Sequence, residues 1–150
     1  MPEPVVNVAI HVMTPADYDS VRLLLESIPG LTVRAADSRE ATERYLGRNP
    51  GLSFVARSGD RVVGCVMCSH DGRRGYLQHL AVEPEVRRQG IGTALVTRCL
   101  EALRGLGIEK THIDVLAENG LAQEYWANSG WKRRTDIVRY SFTNSTDPNV

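Results

Sequence analysis

The 150-residue chain has no surplus of either charge: 18 lysines and arginines stand against 18 aspartates and glutamates. Without a net field, nothing general draws it onto nucleic acid or an anionic membrane, so neither is expected as a partner, although Arg73–Arg74, Arg87–Arg88 and Lys132–Arg134 are local basic clusters. No apolar run approaches the ~20 residues that cross a bilayer. The N-terminal stretch also lacks the basic-then-apolar pattern of a secretory signal, which makes the cytoplasm the expected location. Cysteines number three, an odd count that without a secretory signal implies reduced thiols. Cys65 and Cys68 spell C-x-x-C near His70 and His79. Residues three apart on a strand face opposite sides of the sheet, however, and no second cysteine pair exists to complete a zinc set, so no metal site is expected. Repeats, linkers and low-complexity tracts are also missing.

What is present reads as one domain over residues 1–143, followed by a polar tail, 144–150, that should fray. A chain of this length can bury roughly two-thirds of its unfolded surface in a single core. Val5 to Val12 reads as a strand. Thr14-Pro15-Ala16-Asp17 opens a helix that carries Val21, Leu24, Leu25 and Ile28 to a Pro29-Gly30 stop. Ser38, with Glu40 and Glu43, starts a second helix that ends before Asn49-Pro50-Gly51. Leu52 to Arg57 and Arg61 to Ser69 form a hairpin across Ser58-Gly59-Asp60, and Asp71-Gly72 turns the chain into a strand from Gly75 to Val82. The stretch Ile91 to Leu106 places Ile91, Leu95, Cys99, Leu103 and Leu106 on one helical stripe, with Gly107 as its cap. Lys110 to Ala117 is a strand, Asn119 to Ser129 a helix, and Trp131 to Phe142 one or two closing strands. The order β-α-α-β-β-β-α-β-α-β(-β), with a meander in its middle, predicts an α+β fold: a mixed, mainly antiparallel sheet flanked by helices.

The most informative segment is Leu80-Ala-Val-Glu-Pro-Glu-Val-Arg-Arg-Gln-Gly-Ile-Gly-Thr93. It joins an apolar strand to a basic Gly-x-Gly turn and the start of a helix. Two glycines let the backbone turn sharply and approach a ligand, while the unpaired N–H groups of the first helical turn, the helix dipole of about +0.5 charge, and Arg87 and Arg88 all favour an anion such as a pyrophosphate. A P-loop is excluded by the absence of Gly-Lys-Ser/Thr. A dinucleotide fingerprint is excluded because Leu95 stands where its third glycine belongs.

Residue by residue, Arg87, Gly90 and Gly92 resemble the Arg/Gln-x-x-Gly-x-Gly/Ala signature of the GNAT superfamily of acyl-CoA-dependent N-acetyltransferases. Asn119 through Trp131 resembles that superfamily's later motif, in which an Asn opens a short helix ending in Gly and an aromatic. Val63 to Gly75 is similar to a generic bacterial subgroup. The resemblance implies a GNAT-type sheet in which the strand of Leu80, Ala81 and Val82 runs parallel to the strand of Ile113 to Ala117 and splays from it. Acetyl-CoA is then the cosubstrate, its pantetheine arm on the backbone of Leu80 and Val82. Its phosphates lie on the loop Arg87, Arg88, Gln89, Gly90, Ile91, Gly92 and Thr93, with Asn119 turned toward the arm. For the arginines the competing reading is a solvated charge, and for Asn119 a simple helix cap.

The implied reaction is direct attack of a neutral primary amine, on a small molecule or a peptide N-terminus, on the thioester. A lysine-like amine is only about 0.04% neutral at pH 7, a deficit of roughly 4.6 kcal/mol, whereas an α-amine near pKa 8 needs far less help. The inward positions of the signature strand are Tyr76 and Gln78, neither of them a base, and strand alternation sends His79 to the other face. Asp114 matches the Glu that serves as base in the ribosomal-protein alanine N-acetyltransferases, one methylene shorter and so acting through water, or else is a solvated or ion-paired strand residue, and Glu118 is a weaker alternative. The family's Tyr, general acid toward the thiolate, is replaced by Trp126, which either walls the acetyl group or is a core aromatic. Tyr125 sits about 100° around the helix from it and so does not simply replace the missing phenol, and water or the departing ammonium proton could protonate the thiolate without a dedicated acid. A catalytically weak acyl-CoA-binding or regulatory module is the alternative function. A homodimer is left open.

Overall fold

The computed structural model describes residues 7–150. Of the expected first strand, Val5 and Val6 lie outside the described residues. The strand runs as β1, Val8–Val12. A single 3-10 turn, Pro15–Asp17, leads into α1, Tyr18–Ser27, and a second, Ala35–Asp37, precedes α2, Arg39–Arg48. Ser38 opens α2 as an N-cap, its hydroxyl accepting from the N–H of Ala41 at 3.1 Å. Then follow β2, Phe54–Ser58; β3, Arg61–His70; β4, Gly75–Val82; α3, Ile91–Gly105; β5, Thr111–Ile113; and α4, Gly120–Asn128. Asp71 closes the β3–β4 turn by accepting from the N–H groups of Arg73 and Arg74, both at 2.8 Å. Those donors, Arg74's first, hold its carboxyl below the usual carboxylate range.

The five strands lie in the order β1-β2-β3-β4-β5. Every neighbouring pair is antiparallel except the last, in which β4 and β5 run parallel. This is the mixed, mainly antiparallel sheet expected of the α+β class. Each face buries its own core. Phe54, Val66, Leu77, Leu95, Leu103 and Trp126 belong to the core on the α3 side, while Val21, Leu24, Leu46, Val55, Met67 and Ala81 fill the α1 side. Cys65 lies in the second and Cys68 in the first, so the C-x-x-C sulfurs are on opposite faces of β3. Asp17, buried, accepts from the N–H of Thr14 at 2.8 Å and pairs with Arg57 of β2, fastening the start of α1 to the sheet.

Three details differ from the sequence reading. The strand expected over Lys110 to Ala117 keeps only the three residues of β5, because pairing with β4 stops at Leu77 opposite Ile113. No closing strand forms in 131–142, where a bidentate Arg134–Asp136 pair, 2.8 Å at both contacts, bends the chain, and Ile137, Val138, Tyr140 and Phe142 stay exposed. A strand without a partner for its N–H and C=O groups gains nothing over hydrated coil. β4 also carries a bulge, described below. The carbonyl of Asn149, in the polar tail, accepts from Ala35 N–H at 2.9 Å beside the second 3-10 turn.

All three cysteines are buried and unpaired. Burial pushes the Cys65 thiol up to about 12, and a hydrogen bond with Cys68 together with burial raises Cys99 as well. The native protein at pH 8 should therefore leave an aromatic disulfide reagent unreacted over minutes and release the full three equivalents of thiol only when unfolded. A rapid native equivalent would show that one of the two cores is open.

Candidate functional site: a cradle and a gap between two strands

The loop from Arg87 to Gly90 links the end of β4, through a 3-10 turn over Pro84–Val86, to α3. Gly90 caps α3 with φ +80°, a left-handed conformation that glycine adopts without a steric penalty. The Gly90 carbonyl receives the first helical bond, from Ala94 N–H at 2.9 Å, which leaves the N–H groups of Ile91, Gly92 and Thr93 ahead of the ladder. Gly92 keeps the space before them open. A Cβ there would lie 3.6 Å from the Tyr125 hydroxyl and 3.7 Å from Val82 Cγ2, so a larger side chain would grow into that space. Ile91 anchors the loop in the α3-side core. Arg87 lies back along it, its Nε donating to the Val82 carbonyl at 3.0 Å, while Arg88 and Gln89 are exposed. Free N–H groups at a helix N-terminus beside two guanidinium groups suit a doubly charged phosphate ligand.

Next to the cradle, the sheet opens. β4 and β5 pair only over Gly75–Leu77, and from Gln78 onward β4 has no neighbouring strand on that side among the described residues. Opposite the single residue Val66 of β3, β4 places both His79 and Leu80, and His79 takes φ +50°. This bulge reverses the alternation. Leu80 and Val82 turn toward the α3-side core and Ala81 toward the α1 side, where strict alternation after Leu77 would have done the opposite. His79 consequently does not point away with the α3-side residues, as alternation suggested. It faces the α1 side, where its Nε2 meets Asp37 Oδ1 at 2.6 Å.

On that side the gap widens into a cleft of about 380 Å³ lined by Tyr76, Gln78, His79, His112, Asp114 and Arg139 among others. The cradle residues thus border the gap from the α3 side and the cleft borders it from the α1 side. A larger groove, about 500 Å³, lies between α1 and the β2–β3 turn, lined by Leu23, Asp60, Arg61 and others, and shares no residue with the cradle or the cleft.

The remaining sequence-proposed residues separate. Asp114 lines the cleft, but its Oδ2 pairs with Arg139 Nη2 at 2.7 Å, and the two side chains are 73% and 69% exposed. Glu118 is exposed in the turn before α4 and lies outside the cleft lining. Asn119 caps α4, its Oδ1 accepting from Ala122 N–H at 3.0 Å. Gln123 then reaches back from α4, its Nε2 donating to the carbonyls of Leu116 and Ala117 at 3.2 and 2.8 Å, which holds the chain after β5 clear of β4. Trp126 is 8% exposed, in the core edge-on to Trp131 with ring centroids 4.8 Å apart. Tyr125 instead faces the cradle, its hydroxyl 3.4 Å from Thr93 Oγ1.

Two residues escaped the sequence reading, His112 in the cleft lining and Asp37 behind His79. His112, on β5, is two residues before Asp114, a spacing that period-2 alternation could have signalled, and its ring lies 5.9 Å from that of Tyr76. Asp37 carried no local signal at all, because only tertiary packing brings it to His79.

Known proteins resemble this arrangement and the sequence that builds it. The family described as "Acetyltransferase (GNAT) family" matches residues 19–131. Over 121 residues the chain is 33% identical to N-alpha-acetyltransferase 30 of Schizosaccharomyces pombe, covering 74% of this chain and 80% of that protein. The Xenopus laevis protein of the same name is 34% identical over 112 residues, and there the match takes in 71% of this chain but only 41% of the longer relative. Among solved structures, a PaiA N-acetyltransferase from Thermoplasma acidophilum in complex with coenzyme A superposes with a TM-score of 0.73 at 15% identity, over 83% of this chain and 89% of that one, a likeness of fold. With the family matched across both the signature loop and the α4 motif, the chain belongs to the GNAT acetyltransferases and is an acetyl-CoA-dependent N-acetyltransferase.

Proposed function

We propose that the acceptor is the α-amine of a peptide N-terminus and that the reaction takes place in the cytoplasm. The observation that carries this reading is the single gap between β4 and β5, bordered by an anion cradle on one face and by an open cleft on the other. Donor and acceptor can approach one point from opposite sides of the sheet. The α-amine is favoured because the curated relatives carry that specificity in their names and because such an amine, with a pKa near 8, has a substantial neutral fraction at physiological pH.

In this reading the N–H groups of Ile91, Gly92 and Thr93, with Arg87 and Arg88, hold the phosphates, and Gln89 flanks them. The unpaired edge of Leu80, Ala81 and Val82 receives the extended arm as an added strand would, with Asn119 beside it. Bound acetyl-CoA supplies an activated acetyl group as a thioester. Tyr125 presents the phenol at the cradle and donates a proton to the departing sulfur, while Trp126 holds α4 on the core. Asp114 and Glu118 are poorly suited as bases, the first being solvated and paired with Arg139 and the second lying outside the cleft.

Thiol release should be measured with acetyl-CoA against a panel of amines: peptides with free N-termini, the same peptides N-terminally blocked but carrying lysine, and a polyamine. Free N-terminal peptides are expected to give the highest kcat/KM. Preference for the polyamine would move the acceptor to small molecules, and saturable acetyl-CoA binding without turnover of any amine would leave a binding module.

Gly92→Val should weaken acetyl-CoA binding at least tenfold, about 1.4 kcal/mol, when measured by calorimetry, because its branched side chain enters the space between Val82 and Tyr125. Unchanged affinity would remove the cradle from the cofactor site. Tyr125→Phe should lower kcat by about 10²-fold while acetyl-CoA affinity stays within about twofold. A loss of affinity with kcat intact would make Tyr125 a binding residue only.

A further inference from the structure

We propose that His79, seated in the β4 bulge and oriented by Asp37, is the base that takes the proton from the acceptor's ammonium. The proposal rests on the acetyl-transfer reading and supplies the group which that reading leaves unassigned. His79 lines the cleft on the acceptor side of the gap. The bulge that puts it there also turns Leu80 and Val82 to the cofactor side, so one backbone irregularity delivers the base and the cofactor edge to opposite faces of the same opening.

The pair is built from both ends. Asp37 Oδ1 meets His79 Nε2 at 2.6 Å, and Asp37 Oδ2 accepts from Arg34 N–H at 2.8 Å. The Asp37 carbonyl is pinned by the Tyr18 hydroxyl at 2.8 Å and Arg22 Nη1 at 3.3 Å, both from α1. The side chains of His79 and Asp37 are 21% and 13% exposed, so the pair is shielded yet reachable. A carboxylate on Nε2–H fixes the tautomer whose lone pair is on Nδ1 and stabilises the imidazolium that forms on proton uptake, which makes Asp37 a positioning residue.

Other groups facing the cleft are engaged elsewhere or lack such a partner. The Tyr76 hydroxyl donates to Asp71 at 3.2 Å, and Asp114 is paired with Arg139. His112 packs against Tyr76 and shows no carboxylate partner among the described residues. From β3, Cys65 donates its thiol to the His79 carbonyl at 3.4 Å, away from the ring. The charged and titratable groups around His79 are thus Asp37 and Arg22 on the α1 side, Cys65 on β3, Tyr76 on β4, His112 on β5 with Asp114 just after it, and Arg139 from the C-terminal segment.

The step balances. Neutral His79 takes one proton from R–NH3+, leaving R–NH2 and imidazolium. Nitrogen's freed pair forms the C–N bond as the C–S pair leaves with sulfur, and the second nitrogen proton is lost as Tyr125 protonates the thiolate and recovers its own proton through water. His79 returns its proton to solvent, so each turnover releases N-acetylamine, CoA thiol and one net proton.

The test uses His79→Asn, since Asn tolerates the left-handed backbone of the bulge and keeps the fold. With an N-terminal peptide at pH 7 it should lower kcat/KM by about 10²-fold with acetyl-CoA affinity unchanged by calorimetry. With an acceptor amine of pKa below about 6, already neutral at that pH, the loss should shrink to about threefold or less, because no ammonium proton has to be removed. Asp37→Asn should lower kcat with the N-terminal peptide about tenfold while sparing turnover of the low-pKa amine, a split that a merely structural role for the pair would not produce. Equal losses with both amines, or an acidic limb that Asp114→Asn abolishes and His79→Asn keeps, would overturn the assignment. Parental turnover undiminished in His79→Asn overturns this inference alone. Failure of the parent to turn over any amine overturns the transfer reading with it.

Discussion

One extra residue in β4 sets the geometry on which everything else depends. His79 and Leu80 together oppose Val66, and the insertion shifts every later side chain of the strand to the other face. Holding a non-glycine residue at φ +50° costs on the order of 1 kcal/mol. Turning Leu80 and Val82 onto the α3-side core while Ala81 fills the α1 side recovers more than that, since even half-burial of a Leu or Val contributes roughly 1 kcal/mol each. The bulge is therefore stable on packing grounds, and the redirected His79 follows from it.

The gap has a second cause on its other wall. Gln123 holds the Leu116 and Ala117 carbonyls and Asn119 caps α4, so the chain after Ile113 is committed to the helix and cannot continue the ladder with β4. Peptide groups that would otherwise pair across the sheet are left for a ligand. The helix N-terminus at Gly90–Thr93 and the unpaired β4 edge are adjacent because one short loop, seated by Val86 and Ile91 in the core, connects them. The cradle side of the gap is thereby mostly backbone, whereas the cleft side is lined by side chains from β4, from β5 and the residue after it, and from the C-terminal segment.

Backbone-borne features were legible in the chain and convergent ones were not. Gly90 and Gly92 advertise a tight turn with close approach because few other residues permit it, and Asn119 and Ser38 announce helix starts through local hydrogen bonds that need no tertiary partner. The opposed faces of Cys65 and Cys68 follow from strand periodicity alone. The closing strands over 131–142 failed because β propensity does not say whether a segment will dock on a sheet edge, and β5 is short because Gln123, outside the ladder, draws the following chain toward α4.

The register of α4 and the position of His79 show where that limit lies. A helical wheel separates Tyr125 from Trp126 by about 100°, but which of the two meets the core depends on how α4 rolls against Trp131 and α3. Strand alternation predicts the face of His79 correctly only in a regular ladder, and a bulge becomes visible only once the partner strand is in place. The sequence by itself determined the cradle, the strand and helix order and the mixed sheet, because each is written in local conformational preference and periodicity. Only the tertiary structure decided the meeting of Asp37 with His79 across the α1 face, because contacts between residues distant in sequence depend on the packing of whole elements.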